Sequence, residues 1–154
     1  MEGVMRMRAN YIIDPQAWAE EFEFYVEVKV RFSETDMFGH LNNTVPFTYF
    51  EYARIEFLKH IGFSTEWSEN DVVKIPVVAD LQCDYLKQVF FDETLRIYVK
   101  AARIGTTSID IHYLAKNDHD EACFTGRGTI VQIDKNSGKA IPWNEKEKLI
   151  LHGK

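Results

Sequence analysis

From Phe24 to Phe32 apolar and polar residues alternate, with Val26, Val28, Val30 and Phe32 on one side and Glu27, Lys29 and Arg31 on the other. This period of two is the mark of a half-buried strand. The period changes at Pro46. From there to Ile61, Phe47, Phe50, Ala53, Phe57, Leu58 and Ile61 recur every three or four residues, and Gly62 stands where a helix would end; the spacing predicts one long helix. After a polar connector, STEWSENDVV, alternation returns in four runs: Ile75 to Leu86, Thr94 to Arg103, Thr106 to Ala115 and Ala122 to Asp134. The breaks KQVFFDE, RIGT and KNDHDE are short and rich in turn residues, which predicts hairpins and four strands in meander order. A helix with so apolar a face must be covered, and the sheet is available to cover it. The pattern therefore predicts an α+β fold in which a curved antiparallel β-sheet wraps around one long central α-helix. Exposed sheet edges predict a homodimer or homotetramer.

The ends add less. DPQAWAEEF reads as a short helix, capped by Asp14 with Pro15 in its first turn, within an N-terminal appendage of residues 1–23. Residues 143–154 read as a charged C-terminal tail with a helical turn or two. At 154 residues the expectation is a single domain, residues 1–154. A composition 45% hydrophobic and 27% charged is that of a globular protein. The net charge of -6 argues against a general nucleic-acid binder, which must neutralise phosphates. Cys83 and Cys123 lie in strand-like runs without a C-x-x-C pair and read as buried thiols. With no signal-like or membrane-spanning apolar run, a cytoplasmic protein with no membrane partner is expected. His112, His119 and His152 have no ligand partner at metal-binding spacing, and no nucleophile-elbow, zincin, P-loop or dinucleotide motif occurs.

The chemistry concentrates between strand and helix, in SETDMFGHLNNTV, residues 33–45. Gly39 supplies a turn, and Asn43 and Thr44 are natural residues to cap a helix starting near Pro46. Capping leaves Asp36 and His40 unexplained. A helix start offers unpaired N–H groups able to stabilise an oxyanion, and Asp36, on the same loop, can point a carboxylate into that space. A base or nucleophile beside an oxyanion donor is the minimum equipment for acyl transfer. On the helix, Arg54 projects into the apolar arc and Glu51 to its edge, which predicts a buried structural ion pair.

The run Asp36, Gly39, His40, Asn42, Asn43, Phe47, Glu51, Ala53, Arg54 resembles the D-x-x-G-H-x-N-N…E-x-A-R signature of hotdog-fold acyl-CoA thioesterases of the 4-hydroxybenzoyl-CoA thioesterase class. The similarity extends roughly from Phe24 to Pro142. It implies a hotdog fold, homo-oligomers with sites at subunit interfaces, no metal or organic cofactor, and hydrolysis of an acyl-CoA substrate. Asp36 takes the position of the catalytic carboxylate, as nucleophile or general base. Asn43 takes that of the backbone N–H that polarises the thioester carbonyl. His40 and Asn42 are assigned to positioning water or substrate, with Thr44 and Ser108 beside them. Lys87, Lys100 and Arg103 are the candidate cations for CoA phosphates. Val45-Pro46-Phe47 departs from the usual proline-free run. Phe90 and Phe91, in an expected turn, are assigned to a ligand or a neighbouring subunit. Two alternatives remain open: a non-hydrolytic binder of acyl-CoA or acyl carrier protein, and a hotdog dehydratase or isomerase.

Overall fold

A computed structural model describes residues 9–63, 67–69 and 72–153. Its elements in chain order are α1 (Pro15–Glu20), β1 (Phe24–Lys29), α2 (Val45–His60), β2 (Trp67–Glu69), β3 (Val72–Tyr85), β4 (Thr94–Ile104), β5 (Ser108–Lys116), β6 (Ala122–Asp134) and α3 (Glu145–Leu151), with a 3₁₀ turn at Phe32–Glu34. The strands form one antiparallel sheet in the order β1-β4-β5-β6-β3-β2. The sheet curls around α2, which makes this a hotdog fold.

The inner face carries the core. Leu95, Ile97 and Val99 of β4, and Ile109, Ile111, Tyr113 and Ala115 of β5, are all buried and pack with Phe50, Ala53, Phe57 and Leu58 of α2. Phe50 stacks on Tyr113 with ring centroids 4.3 Å apart. That approach depends on Gly126, because a Cβ there would lie 2.3 Å from the Phe50 ring. The intervening residues of the same strands face outward, where Tyr98 and Leu114 meet a second apolar cluster built from Ala9, Ile12, Trp18 and Phe22. The N-terminal segment thus covers the outer face. As expected, Asp14 caps α1, accepting from Ala17 N–H at 3.2 Å.

Four expectations need correction. Only three of the four strands are a meander: β4, β5 and β6 are joined by the expected hairpins, but β3 pairs with β6, so residues 86–93 cross the end of the sheet rather than turning a hairpin. Local periodicity reports strand content but carries no information on which strands pair. Within the expected polar connector, Trp67–Glu69 forms β2 against Val72–Lys74, the connector's last two residues, Val72 and Val73, belonging to β3; residues 64–66 and 70–71 lie outside the described residues. Phe32 leaves the strand for the 3₁₀ turn and is 77% exposed. Glu51 and Arg54 form no pair: Glu51 is exposed, whereas buried Arg54 donates from Nη1 to Tyr113 Oη at 3.1 Å. Arg54 points at the sheet, and a phenol from β5 accepts one of its N–H groups in place of Glu51. The C-terminal segment folds as α3, capped by Asn144, with Glu147 and Leu151 buried.

Candidate active site

The loop between the 3₁₀ turn and α2 is closed on itself. Asp36 N–H donates to His40 C=O at 2.8 Å and Gly39 N–H to Asp36 C=O at 3.1 Å, with Gly39 at φ +80, a conformation glycine adopts without strain. Asp36 Oδ1 accepts from the backbone N–H groups of Phe38 (2.9 Å) and His40 (3.1 Å). The carboxylate is thereby fixed through one oxygen, and Oδ2 has no donor among the described residues.

The next turn uses most of its backbone groups. Asn42 N–H donates to Glu34 C=O at 2.8 Å, and Asn42 C=O accepts from Val45 N–H at 3.0 Å. Asn42 Oδ1 accepts from the N–H and hydroxyl of Thr44, both at 3.2 Å. Asn43 C=O accepts from the Tyr85 hydroxyl. Of the backbone N–H groups from Asn42 to Val45, that of Asn43 has no acceptor among the described residues. The capping expected of Asn43 and Thr44 side chains is not made. Thr44 occupies the cap position with helical dihedrals, φ -88 and ψ -20, and makes no side-chain cap bond; the local side-chain acceptor is Asn42.

Asp36, His40 and Asn43 face Tyr85, Leu86 and Lys87 across a pocket of about 330 Å³, with Val89 and Phe124 also in its wall. The crossover that the hairpin expectation missed builds one side. Val89 C=O accepts Leu41 N–H at 2.7 Å, and Phe90 pairs with His40 through a backbone bridge and an edge-on ring contact at 5.1 Å. Glu34 braces the loop from behind, its Oε1 accepting from Arg31 N–H and the Tyr49 hydroxyl, both at 2.8 Å. Two larger clefts, of about 800 and 770 Å³, flank other parts of α2 and do not include Asp36.

The remaining expected residues divide. Lys87 reaches the pocket, but its Nζ lies 2.9 Å from Glu121 Oε2, and that bond raises the lysine pKa. Lys100 is buried on the outer face, bonded to Trp18 C=O at 2.7 Å and Glu21 at 2.8 Å, so it is not a solvated cation. Ser108 and Arg103 lie at the other end of the β4–β5 pair: Ser108 opposes Val131, while pocket-lining Phe124 opposes Ala115. Seven strand residues separate them, roughly 23 Å at the usual rise. Within one chain the pocket and these two residues do not meet. Sequence reasoning missed Tyr85, which ends β3 and faces the start of α2 from 42 residues away; its place in the alternating run marked it only as a strand residue. Among the described residues no group of three or more His, Cys, Asp and Glu could hold a metal ion.

This fold, with a fixed carboxylate and an unpaired N–H at the helix start, defines a class. Residues 30–149 match the thioesterase-like superfamily, and the chain belongs to it. Among its relatives, YsmA of Bacillus subtilis (strain 168), an uncharacterised protein, is 46% identical over 149 residues, covering 96% of this chain and 99% of YsmA. The chloroplastic acyl-acyl carrier protein thioesterase ATL3 of Arabidopsis thaliana is 29% identical, covering 83% of this chain and 68% of ATL3. A thioesterase from Thermus thermophilus, crystallised with coenzyme A and zinc, superimposes with a TM-score of 0.72 at 28% identity over 86% of this chain and 95% of that one.

Proposed function

We propose that the protein hydrolyses acyl-CoA thioesters to the free acid and CoA, with Asp36 as the essential carboxylate. The observation that carries this reading is that one pocket is lined by both Asp36, whose Oδ2 has no donor among the described residues, and Asn43, whose backbone N–H has no acceptor among them. The coenzyme A held by the Thermus relative supports the choice of carrier.

In the general-base form of the reaction, Asp36 takes a proton from water as the water oxygen bonds to the thioester carbon. The carbonyl oxygen becomes an oxyanion facing Asn43 N–H. Collapse breaks the C–S bond, and the thiolate leaves with the proton that Asp36 had taken. In the nucleophilic form an Asp36 oxygen bonds to the carbon, the C–S bond breaks and the thiolate leaves; water then hydrolyses the mixed anhydride, releasing the acid, restoring the Asp36 carboxylate and giving up the proton that the thiolate takes. Either form needs only a carboxylate and an oxyanion donor, because a thiolate is a good leaving group and the pocket supplies orientation. His40 borders the reacting space, and Asn42 shapes the turn that presents Asn43. Lys87 is the cation placed to meet a CoA phosphate, in exchange for Glu121.

We further propose a dimer as the active form, joined along β3. Among the described residues its outer edge is paired only at Val72–Lys74, by β2; from Ile75 onward no described residue pairs with it, and Val78 is 42% exposed. Open apolar edges recruit a further strand, and β3 ends at Tyr85 in the pocket.

Thiol release from short-chain, long-chain and aryl acyl-CoAs tests the function. Release from at least one CoA ester is expected. Release from acyl carrier protein esters alone would move the substrate to that carrier, and tight acyl-CoA binding with no release from any thioester would make the protein a binder.

A further inference from the structure

The groups around Asn43 N–H divide into two consecutive peptide planes. The first, Asn42–Asn43, is tethered at its carbonyl by Val45 N–H and leaves its own N–H pointing free. The second, Asn43–Thr44, is tethered at its N–H by Asn42 Oδ1 and at its carbonyl by Tyr85. All of these tethers except the last come from the turn itself or the first residue of α2. Among the described residues, Tyr85 alone ties the pair of planes to the sheet, from the end of β3.

Resting on the thioesterase reading above, we propose that Tyr85 is a positioning residue: its hydroxyl, donating to Asn43 C=O, sets the aim of Asn43 N–H at the thioester oxygen. Its surroundings suit the task. Tyr85 lines the same pocket as Asp36, half-exposed, and its hydroxyl bridges the end of β3 to the start of α2. Partial burial, with Cys83 beside it, pushes the phenol up to about 12, so the hydroxyl keeps its proton at any pH at which thioesters survive. Neutral phenol is the form that can donate to a carbonyl. Strand β3 is long and paired along its length with β6, so it anchors the tether on a rigid element rather than a loop, as a preorganised donor requires.

The test is Tyr85→Phe, which keeps the ring and removes only the donor. Loss of an oxyanion-hole donor outright costs roughly 10²–10³ in kcat; a donor kept but loosened is expected to cost about tenfold, with KM within about twofold because ground-state binding is untouched. An unchanged kcat in Tyr85→Phe, when wild type turns over, overturns the inference and leaves the thioesterase reading standing. A second measurement does not need turnover. In amide NMR spectra of the free protein, Tyr85→Phe is expected to move the Thr44 resonance, whose peptide plane loses its carbonyl partner. Adding a ketone analogue of acyl-CoA, with CH₂ in place of sulfur, is expected to shift the Asn43 amide downfield in wild type and less in the variant. Equal Asn43 shifts in the two proteins, or an unmoved Thr44 amide, would overturn the proposal.

Discussion

Gly126 shows how closely a single residue can be tied to the fold. A β-carbon at that position would sit 2.3 Å from Phe50 and 2.9 Å from the carbonyl of Gln82, and Phe50 cannot retreat because it is stacked on buried Tyr113. Gly126→Ala is therefore expected to lower stability by about 1–3 kcal/mol, the usual cost of overpacking. A denaturant midpoint equal to wild type would show that the helix is free to shift. Beside this contact, Arg54 satisfies the Tyr113 hydroxyl, and burial pushes that phenol up. The charge pattern on α2 revealed that Arg54 is buried. It pointed to the wrong partner, since a three-residue spacing shows that Glu51 is near and not that it faces inward.

At the scale of elements, the N-terminal segment is held on the outer face by a bond that permits one protonation state. The Trp18 indole N–H can only donate, and it donates to His112 Nδ1 at 2.8 Å, so His112 Nε2 carries the proton and faces Asp110 Oδ2 at 2.9 Å. Burial is the main cause that lowers the His112 pKa; Asp110 opposes it, and Lys100 and Arg127 reinforce it. Tyr11 packs on the same ring at 5.1 Å and bonds to Asp84, and Glu21 pairs with Lys100. A histidine whose pKa falls on folding binds fewer protons in the folded than in the unfolded state. Its contribution to stability is therefore complete above about pH 6.5, the free imidazole value, and is lost as the pH falls from there through the lower folded value. Hydrogen exchange of the described segment from Ala9 to Phe22, corrected for intrinsic rates, is expected to speed up between pH 7 and pH 5 in wild type. His112→Gln, whose amide accepts from Trp18 and donates to Asp110 without titrating, is expected to flatten that response. The same acceleration in His112→Gln would locate the pH sensitivity elsewhere.

For the molecule as a whole, the open edge of β3 leads to the expectation that the 18.0 kDa chain sediments as a dimer at micromolar concentration. A monomer at those concentrations would contradict the edge assignment. Much of this architecture was legible in the sequence. The change from alternating to three-and-four spacing located β1 and α2, and later alternation located β3 to β6 to within a few residues. The β4–β5–β6 hairpins were legible from their short breaks, but the place of β3 was not, because β3 meets β6 across some forty intervening residues and alternation is the same for any partner. The candidate site was legible where it is local. Asp36, His40 and Asn43 lie within eight residues of one another, and Lys87 also reached the pocket. Residues chosen for strand polarity alone, Ser108 and Arg103, fell at the opposite end of the sheet. Tyr85 could not be chosen at all, because its role depends on the crossover that brings the end of β3 to the helix start.

The most direct measurement of the central claim is the rate of thiol release by Asp36→Asn, with acyl-CoA binding followed in parallel. Asparagine keeps the acceptor for the Phe38 and His40 N–H groups and removes the base. Binding should persist while turnover falls by roughly 10²-fold or more. An Asp36→Asn variant that hydrolyses acyl-CoA at the wild-type rate would contradict the assignment of this carboxylate.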